Sequence, residues 1–350
     1  MIALVPPART TRSGRRPLPK SWAVALTLSG LGLLFLGIAA AVAPGSIDAM
    51  WQAVRDRLVF AHIPAPSYLV VLGGVLLAES WILGWGRGSL ARLFKGSRSA
   101  RADLVIGAIE TLGWAPLVLA FVSAGWIWVI KHTADGVMDL HLLGRIGPAW
   151  FRFMVVVVIA DFLGYWKHRF LHQLDFLWEA HKYHHAATEF TILTGSRNHA
   201  VEYAFSHLFS DFPLAVLGVS IHQYLGAGLV IYVVELFQHS DLRWDYGWVG
   251  RWLVYGPVGH RIHHSPRVDQ HTSNYGNLFV VWDRMFGTWY GGADVNETIG
   301  LPRSENPYNR RNLLVEYLHT VARVVRAFGV SARTGRWATG SLVRPPGTTA

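Results

Sequence analysis

The sequence has no cysteine among its 350 residues. Disulfide bonds, cysteine-ligated zinc, iron–sulfur clusters and thiol catalysis are therefore excluded. Charge is also scarce, because only 15% of the residues are charged, against roughly 25% in ordinary soluble domains. Hydrophobic residues, by contrast, reach 51%. So few charges cannot cover a soluble protein of this size, and the composition therefore predicts an integral membrane protein.

Two basic segments, residues 1–20 and 87–101, contain no acidic residue. We therefore interpret the net charge of +10 as a topology signal, since the positive-inside rule places both segments in the cytosol. A nucleic-acid partner is not expected. Four apolar runs are predicted to span the bilayer. They cover residues 22–42, 66–85, 103–130 and 148–166.

This topology returns the chain to the cytosol near Trp166, just before the first histidine motif. A further apolar region, residues 200–238, predicts a re-entrant hairpin or two short helices that end on the cytosolic side at His239. The predicted fold is thus all-α, a polytopic membrane protein with about four transmembrane spans plus a re-entrant hairpin, and with a cytosolic histidine-rich helical cap. The expected location is a bacterial cytoplasmic membrane.

The predicted domain boundaries follow the same pattern. Residues 1–20 form a basic cytosolic N-terminus, 21–147 an N-terminal transmembrane region, 148–290 a catalytic domain and 291–350 a polar C-terminal region. In the last of these, residues 310–328 have the spacing of an amphipathic helix, which lies either on an anionic leaflet or on the protein's own domain. The tail from Ser331 is predicted to be disordered.

Histidine is concentrated in one part of the chain, since 13 of the 17 histidines lie between His168 and His271. Residues 168–172 read HxxxH, and residues 181–185 and 260–264 each read HxxHH. On a helix, positions i, i+3 and i+4 share one face, so each motif can direct two or three imidazoles toward one point. A lone pair of this kind is usually a solvated face, but three ordered motifs predict a metal site. Clustered imidazoles repel one another when protonated, and a metal stabilises their neutral forms.

The eight histidines of these motifs exceed the ligand set of one tetrahedral zinc. The sequence therefore predicts two metals, each bound mainly by nitrogen. Imidazole suits zinc, copper, nickel and iron alike, so the motifs themselves leave the choice of metal open.

The order and spacing of the three motifs are similar to those of the sterol desaturase/fatty acid hydroxylase superfamily, the membrane di-iron oxygenases. Residues 197–202, 237–243, 274–277 and 282–288 resemble further stretches of that family, and the likeness covers roughly residues 150–290. The resemblance implies two non-heme iron ions, dioxygen as co-substrate, and hydroxylation or desaturation of a sterol-like or fatty-acyl lipid.

The resemblance also implies a ligand set. The positions that match the family's iron ligands are His168, His172, His181, His184, His185, His239, His260, His263 and His264. His199 occupies a recurrent histidine position and is either a tenth ligand or a supporting group. Supporting roles are further expected for His271 and Asn274.

Two carboxylates in apolar segments are also expected to support the metal ligands. Asp161 lies seven residues before His168, and Glu235 lies four before His239, which places each on the same helical face as its histidine. Each could accept a hydrogen bond from an imidazole N–H. A helix-packing contact explains either residue equally well.

The sequence has no glycine-rich nucleotide fingerprint and no flavin motif. A separate electron donor of the cytochrome b5, ferredoxin or reductase type is therefore expected. Two alternatives stay open at this point. One is a di-metal relative that cleaves lipids or aldehydes. The other is a non-catalytic membrane protein that binds or transports metal through its histidines.

Overall fold

A computed structural model of the chain describes residues 66–111, 143, 146–211, 213–214, 217–291, 295, 298–302, 306–309 and 312–338. The predicted span at residues 22–42 and most of the one at 103–130 lie outside these ranges. The described residues form helices and loops, with an isolated antiparallel bridge between Val254 and Phe279. The all-α prediction is confirmed for this part of the chain.

The helices are numbered here in chain order over the described residues. They are α1 (Pro66–Leu83), α2 (Gly88–Lys95), α3 (Arg98–Thr111), α4 (Ala149–Gln173), α5 (Asp175–His185), α6 (Ala200–Ser206), α7 (Ile221–Gln238), α8 (Gly247–Trp252), α9 (Pro257–His263), α10 (Val268–His271), α11 (Val281–Met285) and α12 (Leu313–Thr334). A short π-helical turn, His207–Asp211, follows α6.

Helix α4 is, among the described helices, the one that is long and apolar enough by itself to cross a membrane. Its 25 residues extend about 37 Å at 1.5 Å per residue, against a hydrocarbon core of about 30 Å. Helices α1 and α2 pass the same test only as a pair, and they are bent by 98° at the break between them. The four-span topology therefore stays a prediction.

The bend between α1 and α2 depends on a buried carboxylate. Glu79 of α1 is completely buried and accepts hydrogen bonds from the backbone N–H of Ser89 at 2.9 Å and of Asp241 at 2.8 Å. Gly88 has a φ of +75°, and a Cβ there would lie 3.2 Å from the Glu79 carboxyl carbon. A side chain at position 88 would therefore be both strained and crowded.

Helix α3 packs inside the protein at its N-terminal end, although the sequence places a membrane span from residue 103. Asp103 is fully buried and accepts hydrogen bonds from the hydroxyls of Thr191 at 3.0 Å and Thr194 at 2.8 Å. It also forms an ion pair with the equally buried Arg197 at 3.3 Å. The start of the predicted span is therefore part of the core next to the 191–197 loop.

The core that supports the histidine motifs lies between α4 and α7, where Val156, Val157 and Ala227 are buried together with Leu278. The described residues of the apolar region 200–238 include helices α6 and α7, and the π-helical turn directly follows α6. A capping box of Ser220 and Gln223 begins α7. Because α7 ends at Gln238, His239 lies at its end, next to the other motifs.

The predicted amphipathic helix is α12, which packs along α5. Arg323 forms an ion pair with Glu179 at 3.3 Å, and the rings of Phe328 and Phe176 meet edge to face at 5.3 Å. The structure thus favours packing on the protein's own domain. The helix extends past Ser331 to Thr334, so disorder does not begin where the sequence predicts it.

Candidate metal centre

The structure brings nine of the ten predicted ligands together in two buried groups. Within each group, the candidate ligand atoms all lie within 4.8 Å of one another. The first group comprises His168, His172, His181, His185 and His263, and the second His184, His239, His260 and His264.

The three motifs divide between the two groups in different ways. His168 and His172 lie one turn apart on α4 and join the first group together. In the motif on α5, His181 and His185 belong to the first group and His184 belongs to the second. The motif at α9 has the reverse arrangement. His260 and His264 belong to the second group, and His263 belongs to the first. Each HxxHH motif therefore contributes to both groups.

Three histidines are oriented by contacts between their Nδ1 atoms and backbone carbonyls. His168 Nδ1 lies 2.9 Å from the carbonyl oxygen of Tyr275, and His263 Nδ1 lies 2.7 Å from that of Ser273. His239 Nδ1 lies 2.9 Å from the Glu235 carbonyl oxygen. An Nδ1–H that donates to a carbonyl leaves the Nε2 lone pair free to bind a metal.

His181 is held by a carboxylate instead. Its Nδ1 lies 3.0 Å from Glu202 Oε1, and both side chains are buried. Sequence reasoning included Glu202 in a family-like stretch but gave it no role. The available signal was an acidic residue near the start of an otherwise apolar segment.

The opposite ring nitrogens lack partners. Within the described part of the chain, Nε2 of His168, His181, His185 and His263 makes no hydrogen bond, and neither ring nitrogen of His172 or His264 makes one. A buried polar atom without a partner costs free energy. These unpartnered nitrogens, together with an all-imidazole donor set, fit two metal ions.

Distances in the second group support the same conclusion. His239 Nε2 lies 3.0 Å from His260 Nε2 and 3.3 Å from His184 Nε2. Nitrogens that each bind one ion at about 2.1 Å lie roughly 3 to 4 Å apart. The three rings therefore already have the separation of ligands that share an ion.

The electrostatic environment keeps the imidazoles neutral. Burial lowers the pKa of His184, His185, His260 and His264 well below the usual value, and neighbouring imidazoles lower each pKa further. Burial also lowers the pKa of His239, to about 4. Neutral imidazole is the form that binds metal, so the site is ready to bind at neutral pH.

His199 is the predicted ligand that the structure does not bring into either group. It is the N-cap of α6, where its Nδ1 accepts a hydrogen bond from the backbone N–H of Val201 at 3.2 Å. Its Nε2 lies 3.2 Å from the carbonyl oxygen of Tyr317. Both ring nitrogens are thus occupied by the protein.

The expected contact between Asp161 and an imidazole does not occur. Asp161 instead accepts hydrogen bonds from the backbone N–H of Leu278 at 2.8 Å and of Phe279 at 3.0 Å, and from the indole of Trp282 at 2.8 Å. Glu235 supports His239 only through its backbone carbonyl. Within the described part of the chain, neither carboxylate accepts a hydrogen bond from an imidazole, and Asp161 has the packing role that the sequence left open.

Asn274 supports the site indirectly. It has a φ of +56°, and its side chain donates to the Gly259 carbonyl at 3.1 Å and accepts from the Tyr290 N–H at 2.8 Å. These bonds hold the loop whose neighbouring carbonyls, at Ser273 and Tyr275, accept hydrogen bonds from histidines of the first group.

His271 lies at the edge of the site. Its ring stacks on Trp178 with 5.7 Å between centroids, and it lies 6.5 Å from the ring of His172. It contacts the site without joining either group.

The fatty acid hydroxylase family model matches residues 153–288, which contain all nine grouped histidines. This match decides the family. Residues 153–288 belong to the sterol desaturase/fatty acid hydroxylase superfamily. No solved structure matches the chain.

Two curated proteins are similar to about two fifths of the chain. An ornithine lipid hydroxylase of Rhizobium tropici is 30% identical over 144 residues, which is 41% of this chain and 43% of that protein. An alkylglycerol monooxygenase of Xenopus tropicalis is 30% identical over 145 residues, or 40% of this chain and 30% of that protein. The chain thus matches less than half the length of either relative.

A cavity of about 310 Å³ adjoins the histidines of the fatty acid hydroxylase domain. His168 and His181 of the first group line it, and so do His184, His239 and His260 of the second. A molecule in this cavity would therefore contact both groups.

Proposed function

We propose that the chain is a membrane-bound di-iron monooxygenase that hydroxylates a lipid. The observation that carries this proposal is the pair of buried histidine groups, which adjoin one cavity. The names of the similar proteins support a lipid substrate and favour hydroxylation over desaturation.

The proposed reaction inserts one oxygen atom into a C–H bond. One C–H group, one dioxygen molecule, two electrons and two protons give one C–OH group and one water. Two iron ions, held by the histidine groups, would supply the activation of dioxygen. The electrons come from a separate donor of the cytochrome b5, ferredoxin or reductase type, which docks on the basic cytosolic face.

The chain's own residues position these reactants. The Glu202 carboxylate and the carbonyls of Ser273, Tyr275 and Glu235 fix the ring orientations of four histidines. Such supporting hydrogen bonds also raise the basicity of the imidazoles as ligands. The burial of all nine rings limits the access of bulk water to the reacting centre.

The proposed architecture places this centre on the cytosolic side of a bacterial cytoplasmic membrane. Residues 148–290 form the catalytic domain, preceded by a transmembrane region at 21–147 and followed by a polar region at 291–350. Helix α4 would span the bilayer and deliver His168 and His172 at its cytosolic end.

Oxygen-isotope labelling tests the proposed reaction. The full-length chain, expressed with iron in excess, is incubated with a bacterial lipid extract, a chemical reductant and ¹⁸O₂. We expect a lipid that gains one ¹⁸O atom, and we expect the product to disappear without iron or reductant. The matched control is His264→Ala, which should form no labelled product. A product that lacks two hydrogens and carries no label, or no product at all, would contradict hydroxylation.

A further inference from the structure

The cavity beside the histidine groups is too small for a whole lipid. Its volume is about 310 Å³, which is at the lower end of the roughly 300–1,000 Å³ of pockets that hold drug-sized ligands. A membrane lipid with its acyl chains is several times larger, so only one part of the substrate can enter.

The lining of the cavity combines many polar side chains with apolar surface. Of the described residues that line it, only Leu171 and Ile231 have aliphatic side chains. Ligand pockets are usually lined predominantly by hydrophobic side chains. The many charged and polar side chains therefore favour a polar part of the substrate next to the metals.

Most of the polar groups in this lining are already paired within the protein. Glu110 accepts a hydrogen bond from the Tyr203 hydroxyl at 2.6 Å, and Asp211 pairs with His207. Glu202 Oε1 contacts His181, whereas its buried Oε2 makes no hydrogen bond within the described part of the chain. Glu110 and Asp211 are thus paired inside the protein, and Glu202 is paired at one of its two oxygens.

Lys167 of α4 and Glu235 of α7 differ from these residues because their side chains make no such hydrogen bond or ion pair within the described part of the chain. Both residues line the cavity. The hydrogen bond between Glu235 and His239 uses the backbone carbonyl of Glu235. One cation and one carboxyl group thus line the same small space, and they are close enough for their charges to interact.

We propose that this cavity binds a zwitterionic lipid headgroup, with the ligand's ammonium at Glu235 and its anionic group at Lys167. The inference rests on the proposed function and specifies its substrate class. The acyl chains stay outside the cavity, and the oxidised carbon lies in the headgroup or within a few bonds of it. The anionic group is either the carboxylate of an amino-acid headgroup or the phosphate of an aminophospholipid.

Binding of single-chain probes to the purified full-length chain tests this inference. The probes share one acyl chain and differ in the headgroup. They are N-acyl-ornithine and lysophosphatidylethanolamine, which are zwitterionic, lysophosphatidylglycerol, which is anionic, and monoacylglycerol, which is neutral. We expect at least one zwitterionic probe to bind about ten-fold or more tightly than the neutral probe, because charge-assisted hydrogen bonds are strong in a buried site. The ranking of the two zwitterions distinguishes a carboxylate from a phosphate.

Two variants assign the two contacts. Glu235→Gln should weaken the zwitterionic probes about ten-fold and leave the anionic probe unchanged. Lys167→Met should weaken the zwitterionic and anionic probes and leave the neutral one unchanged. The matched control is Lys95→Gln, because Lys95 is an exposed lysine on α2 outside the cavity and its loss should change no affinity.

Equal affinities of the wild-type chain for all four probes, or tightest binding of the neutral probe, would overturn the inference. This ranking needs no variant, so a misfolded variant cannot obscure it. Binding is measured without dioxygen or reductant. Hydroxylation without headgroup preference would therefore remove only this inference, whereas headgroup binding without hydroxylation would remove only the proposed reaction.

Discussion

Glu202 and His181 form a buried contact in which the Glu202 carboxylate oxygen lies 3.0 Å from the His181 ring nitrogen Nδ1. The carboxylate fixes which ring nitrogen carries the proton, and it turns His181 Nε2 toward the other histidines of the first group. Supporting contacts of this kind determine how strongly an imidazole binds its metal.

Replacement of this carboxylate should weaken metal binding without removing a ligand. We expect Glu202→Gln to lower the iron affinity of the first group about 10- to 100-fold, measured by competition with a chelator. The control is Glu189→Gln, because Glu189 lies near Arg92 and outside both groups. Wild-type iron affinity in Glu202→Gln would show that the contact has no part in metal binding.

Replacement of a ligand should affect the two groups separately. His264→Ala leaves three histidines in the second group and leaves the first intact, so we expect about one iron per chain and no hydroxylation. Each of the other eight grouped histidines should likewise be required for activity. His319→Ala, outside the groups, is the control and should retain both irons. Full activity in any three of the nine variants would refute the ligand assignment.

His199 provides a test that separates a ligand from a helix cap. Asn is among the best N-cap residues, so His199→Asn should preserve α6 and keep the iron content unchanged. His199→Ala should also keep the iron but lower the free energy of unfolding by about 1 kcal/mol. Metal analysis and denaturant titration measure the two effects. Iron loss in His199→Asn would return His199 to the ligand set.

Asp241 links α2 to α9 through two ion pairs. Its carboxylate lies 2.6 Å from Arg92 and 2.7 Å from Arg261, whose side chain is only 4% exposed. Asp241→Asn leaves the buried Arg261 charge without its partner, which typically costs about 3 kcal/mol. The control is Asp269→Asn, which breaks an ion pair of the same 2.7 Å length that is about 40% exposed and should cost less than about 1 kcal/mol. Equal losses in the free energy of unfolding would contradict this account.

The membrane topology can be tested with single cysteines, since the chain has none of its own. Arg98, Thr188 and Arg267 are all exposed, and the backbone N–H of Thr188 lies 3.1 Å from the hydroxyl of Ser99. We expect cysteines at all three positions to be protected from a membrane-impermeant thiol reagent in intact cells and to react once the membrane is opened. Labelling of positions 188 and 267 on opposite sides would refute a shared site.

The sequence predicted that the three histidine motifs meet at one site, because HxxxH and HxxHH are local patterns whose geometry follows from the helical repeat. His239 was added only through the family resemblance, and His199, which was added in the same way, joins neither group. The sequence could not predict how each motif divides between the groups, since that depends on how α5 and α9 face each other. Helical register was also insufficient to predict the partner of Asp161. Asp161 does lie two helical turns before His168 on one face of α4. Its partners there, however, are the backbone N–H of Leu278 and the indole of Trp282 in α11.

Contacts between distant segments account for the other differences. The Ser273 and Tyr275 carbonyls reach the histidines only because the loop folds back over α4 and α9, and a backbone acceptor has no signature in the sequence. Arg92 belongs to a segment that we interpreted as a topology signal, yet it forms an ion pair with Asp241. A basic residue can serve both purposes, and composition does not distinguish them.

The number of irons per chain tests the central claim most directly. The full-length chain is expressed with iron in excess, purified in mild detergent and analysed for metals against its measured protein concentration. We expect two irons per chain, because nine buried imidazoles form two groups. A single metal ion per chain, or zinc alone under these iron-rich conditions, would contradict a di-iron centre.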